Sequence, residues 1–82
     1  MKYWYLDLKI IHGEVEIHSK TAHKTTAFEG DFDANDYAQD YYDGGESDGF
    51  GGFNFSCGEI NVSVYKCEEI TIREYDVLSR FL

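Results

Sequence analysis

The chain reads as a small α+β domain: two β-hairpins forming an antiparallel sheet with one or two short helices (ββαββα), the alternative for the last segment being a strand continued through Ile70 and Ile72. Three observations predict this. Apolar residues alternate with polar ones over residues 2–18 and again over residues 53–65. Each alternating stretch is interrupted by a glycine where a tight turn fits. After each hairpin the apolar spacing changes from two to three-and-four. With 82 residues there is room for one core, so residues 1–82 are read as a single domain.

In the first hairpin, His12-Gly13 is the expected two-residue turn, because glycine tolerates positive φ. Folding there pairs Ile10 with Val15, Leu8 with Ile17 and Lys9 with Glu16. Trp4, Leu6, Leu8, Ile10, Val15 and Ile17 then share an inner face. Tyr3, Tyr5, Asp7, Lys9, Glu14, Glu16, His18 and Lys20 share the outer one, with His18 opposite Asp7. Thr21 to Phe28 is a connector or the end of the second strand.

Asp33 is placed to cap a helix in which Ala34, Tyr37, Ala38 and Tyr41 make the apolar stripe. That helix is expected to run to Gly44-Gly45. Asp36, Asp40 and Asp43 then project together from its opposite side. Residues 44–52 hold five glycines and read as a flexible loop carrying Glu46 and Asp48. In the second hairpin Cys57-Gly58 is the turn, pairing Phe55 with Ile60 and Phe53 with Val62. Phe53, Phe55, Ile60, Val62 and Val64 share one face, and Asn54, Ser56, Asn61, Ser63 and Tyr65 the other. Thr71 and Glu74 have capping-box spacing for a last helix whose stripe is Ile72, Tyr75, Leu78 and Leu82. Both helices are expected on the apolar face of the sheet.

Composition restricts function. Net charge is −9, yet 43% of residues are hydrophobic and 17% aromatic, which argues against disorder. Residues 29–48 hold eight of the 16 acidic residues and no Lys or Arg. Such a block attracts cations and repels phosphates, which argues against direct contact with nucleic acid or an anionic membrane. No stretch is long and apolar enough to span a bilayer, and the N-terminus lacks a signal-peptide core, so a cytoplasmic location is expected. Cys57 and Cys67 match neither a disulfide framework nor a zinc site. In the expected register they lie on the order of 30 Å apart, too far to bridge.

Catalytic and metal patterns are weak. Asp31, Asp33 and Asn35 have the 1-3-5 spacing of a calcium loop, but Asp36 stands where glycine is needed and Tyr42 where glutamate is needed. His12, His18 and His23 do not converge in the proposed hairpin, where they read as exposed strand histidines. Cys57 lacks a neighbouring base in sequence, and the glycines of 44–52 alternate with acids that repel phosphate. The expectation is a protein without cofactor, metal or enzymatic activity. Its candidate site is a partner-binding surface of Asp36, Asp40, Asp43, Tyr42, Glu46 and Asp48. Carboxylates at i, i+4 and i+7 of a helix stand about 5–6 Å apart, close to the spacing of phosphates along a nucleic-acid strand.

A small, acidic, cysteine-poor chain with Asp33, Asp36, Asp40, Asp43, Glu46 and Asp48 along one helix and loop resembles, as a class, phage-encoded anti-defence inhibitors. Anti-CRISPR proteins and DNA-mimic anti-restriction proteins are the examples. The resemblance implies a stoichiometric inhibitor, monomeric or dimeric, that occupies a basic nucleic-acid-binding groove of a host CRISPR or restriction effector. Two alternatives stand beside it. One is an immunity protein or antitoxin masking a basic nuclease. The other is an interaction module that uses the outer sheet face through Tyr3, Tyr5 and Tyr65.

Overall fold

The computed structural model describes residues 1–42 and 44–82. Five strands form one antiparallel sheet in the order β2-β1-β5-β4-β3. The strands are β1 (Lys2–His12), β2 (Val15–Thr25), β3 (Glu46–Ser47), β4 (Gly52–Phe55) and β5 (Ile60–Ile70). Helix α1 (Ala34–Gln39) lies between β2 and β3, and α2 (Ile72–Ser79) follows β5. This is the α+β class read from the sequence, with an additional edge strand, β3, inside the glycine-rich stretch.

β1 is the central element, paired on both sides by eleven-residue strands. Its alternation buries Trp4, Leu6, Leu8 and Ile10 on the inner face, where Phe55, Val62 and Ala38 complete the core. The Trp4 indole N–H donates to Thr25 Oγ1 at 3.0 Å, so burying this ring leaves no polar atom unpaired. The first turn falls one residue later than the sequence implied. Gly13 and Glu14 occupy it, and Ile10 pairs with Ile17 rather than Val15. Gly13 has φ 65, which only glycine adopts freely at the first position of a two-residue hairpin turn. The slip is two residues in register, so every side chain keeps its expected face.

The second hairpin has the expected register, Phe55 with Ile60 and Phe53 with Val62. Its connection is longer than a two-residue turn: Ser56, Cys57 and Gly58 form one left-handed turn with φ 52, 59 and 90. Between Asp7 and Leu8 of β1, β5 carries one extra residue. Asp7 faces Lys66 while Leu8 faces Val64, leaving Tyr65 in a bulge. The bulge resets the phase, so Val64 and Cys67 both reach the core cluster.

Helix α1 starts as read, with Asp33 Oδ1 accepting the Asp36 backbone N–H at 3.0 Å. Ala34, Tyr37, Ala38 and Tyr41 pack on the inner face. The helix ends at Gln39, however, and Asp40 is its C-cap. The expected position of Asp43 on its last turn lies outside the described residues.

Helix α2 has the full capping box between Thr71 and Glu74. Its placement corrects the sequence reading. Tyr75 packs on Tyr3 with ring centroids 5.0 Å apart, and Tyr3 alternates away from Leu6, so α2 meets the outer face. None of its residues joins the core cluster, and Ile72 and Leu82 of its expected stripe are exposed.

Candidate functional site

The acidic stretch is spread over three local structures. In the turn after β2, the Thr26 backbone N–H donates to Glu29 Oε1 at 2.9 Å, and the Glu29 N–H donates back to Thr26 Oγ1 at 3.3 Å. The Thr26 backbone N–H foremost, with the Thr26 hydroxyl behind it, holds the Glu29 carboxyl below its usual range. Asp31 pairs with Lys2 Nζ at 2.6 Å, and Asp33 is spent on the helix cap.

Asp36 and Asp40 are different. They lie one helical turn apart, joined by the Asp40 N–H to Asp36 carbonyl bond of 3.1 Å, and both are exposed. Neither has a cationic side chain within 4.0 Å among the described residues, where Lys2–Asp31 is the only ion pair of the 29–48 stretch. Asp36 and Asp40 share one shallow depression of about 300 Å³ with Glu29, Asp31, Asp33 and the rings of Phe32 and Tyr37. The fold therefore adds Glu29 and Asp31 to the pair read from the sequence. Their closeness in the chain was the available signal.

Of the other predicted residues, Tyr42, Glu46 and Asp48 do not line that depression, and Asp43 lies outside the described residues. Tyr42 and Glu46 line a separate open groove of about 720 Å³ with Phe55, Cys57 and Ile60. Tyr42 packs edge-on against Tyr41 at 4.8 Å and Phe55 at 5.5 Å. It closes an aromatic row that begins where His23 stacks on Phe32 at 4.6 Å and continues through Tyr37 and Tyr41.

Asp48 is a structural residue, which corrects its reading as a loop acid awaiting a partner. It accepts the Phe50 N–H at 2.7 Å, the Gly52 N–H at 3.0 Å and the Asn61 amide at 2.9 Å. The Phe50 bond foremost, with Asn61 and Gly52 behind it, pulls its carboxyl below the usual range.

The outer face holds a second polar group, in which the register sets Lys9 rather than Asp7 opposite His18, and Asp7 reaches the imidazole diagonally. Asp7 is buried, and His18 Nδ1 lies 2.8 Å from its carboxylate. The Tyr65 ring stands edge-on to the imidazole at 4.8 Å. The Asp7 bond is the main cause that raises the His18 pKa above its usual 6.5. His23, read from the sequence as exposed, is half-buried, and burial lowers its pKa. Cys57 and Cys67 are both free thiols.

No family model, no curated protein and no solved structure matches this chain.

Proposed function

We propose that this protein is a non-enzymatic inhibitor whose acidic face occupies a Lys- and Arg-lined groove that ordinarily holds nucleic acid. One observation carries the reading. Asp36 and Asp40 stand exposed without a cationic neighbour among the described residues, on a depression that also gathers Glu29, Asp31 and Asp33 beside two aromatic rings. Charges left without partners in the protein's own fold are available to a cationic surface. The aromatic rings suit guanidinium and ammonium groups. A defence effector of the CRISPR or restriction type presents such a groove, and so does a nuclease toxin. Both partners call on the same chemistry.

The test is capture from a host lysate on the immobilised protein at low and high salt, with nucleic acid as competitor. A nucleic-acid-binding partner is expected, released both by salt and by added DNA or RNA. The double variant D36K/D40K is expected to lose capture while its circular dichroism stays unchanged. Undiminished capture by that variant overturns the acidic-face reading. It would direct attention to the outer sheet face, where Tyr65 is exposed.

A further inference from the structure

The two edges of the sheet are unequal. One is β3, two residues long. The other is β2, eleven residues long, without proline. In a hairpin closed by a two-residue turn, the residues flanking the turn exchange both backbone hydrogen bonds, and the pattern then alternates. His12 and Val15 are that pair, so Val15, Ile17 and Ser19 direct their backbone groups at β1. Glu16, His18 and Lys20 direct theirs outward. A free row of this kind is a template for another strand.

Two constraints select the occupant and its register. The C-terminal end of α2 stands beside the far half of β2, where Ser79 and Leu82 line a groove with Thr21, Ala22 and His23. Among the described residues that groove does not reach the half next to the turn, where the outward backbone row is open; the Tyr41 hydroxyl on Ser19 and the Tyr65 ring on His18 lie on the faces of the strand. Within that half, antiparallel pairing of β2 with a second β2 about a two-fold axis has few solutions. An axis through His18 sets two imidazoles face to face. An axis through Glu16 does the same with two carboxylates. An axis through Ile17 sets Glu16 against His18 of the second copy and Glu14 against Lys20 of the second copy, each twice by symmetry. On the inner face, Ile17 then meets Ile17 of the second copy. Val15 and Ile17 are 58% and 52% exposed in the single chain and neighbour each other on the inner face, and the pairing covers both.

We propose that a second copy of this chain pairs with β2 through Glu14–Lys20, joining two five-stranded sheets into one across a two-fold axis at Ile17. This is independent of the acidic-face reading. Glu16 and His18 lie on the outer face, whereas α1 lies on the inner one.

Sedimentation velocity across a wide concentration range is expected to show a monomer–dimer equilibrium. In E16P an outward N–H is removed without touching the β1 ladder, and the dimer is expected to be lost. A second measurement does not depend on that variant folding. At a non-hydrogen-bonded pair the two Cα atoms approach to about 4.5 Å, within disulfide range. Oxidised I17C/C57S is therefore expected to run as a linked pair. V15C/C57S is not, since its thiols sit four residues out of register, about 13 Å apart. A protein that is monomeric at every concentration overturns the proposal. So does a dimer in which V15C/C57S links as readily as I17C/C57S.

Discussion

His18 and His23 give the fold opposite responses to acid. The Asp7 carboxylate favours the charged imidazole of His18, so its folded pKa lies above the unfolded value of about 6.5. The stability it contributes is complete below about pH 6.5 and is lost as pH rises through the raised folded value. Burial favours neutral His23, so the unfolded chain takes up that proton first. Stability is therefore lost on that account as pH falls below about 6.5. In urea unfolding at a series of pH values, H18Q is expected to flatten the alkaline side of the profile and H23Q the acid side. NMR titration is expected to place the two midpoints on either side of about 6.5. Two further residues are fixed by packing. Leu6 is fully buried at the sheet centre, and L6A is expected to cost about 3 kcal/mol in urea unfolding. A Cβ on Gly45 would lie 2.5 Å from the Phe55 ring, so G45A is expected to cost about 1–3 kcal/mol in the same assay.

Among the elements, those with strict alternation were legible. Alternation put Phe53, Phe55, Ile60 and Val62 on one face, and the position of Gly58 selected the Phe55–Ile60 register among those that do so. Trp4 to Ile10 tolerated a two-residue slip because both registers bury the same set. Capping was legible as well, since Asp33 and Thr71 act through neighbours in the chain. Three features were not. Glu46–Ser47 becomes a strand only because Phe53 and Asn54 present a free backbone edge. Asp48 looked solvated because two of its three donors are main-chain amides, which sequence does not display. Helix α2 distributes Ile72, Tyr75, Val77 and Leu78 around its circumference, so no single face dictated which side of the sheet it would meet. That helix has no fully buried residue and relies on its cap. In T71A, α2 is expected to fray at a cost of about 1 kcal/mol, seen as faster amide exchange in α2 with β1 protection unchanged.

At the scale of the whole molecule, the sheet is only partly covered. The radius of gyration is 13.5 Å, where a compact chain of this length has about 12 Å. Helix α1 covers part of the inner face and α2 part of the outer one. The net charge of −9 adds self-repulsion, much of it from residues 29–48. Added salt is expected to raise the thermal midpoint by screening that repulsion while weakening capture of a cationic partner. A single experiment read by calorimetry and by binding would show the two opposite slopes.

The extra residue in β5 has a consequence for length variation along the chain. Tyr65 has no partner of its own in β1, so removing it would set Lys66 directly after Val64 and leave both neighbours on their present faces. A chain shortened by Tyr65 is therefore expected to fold, losing only the ring against His18. A chain shortened by Val64 would bring Tyr65 opposite Leu8 and force a phenol into the tightest part of the interior. Of two adjacent single-codon deletions, one is nearly silent and the other disruptive.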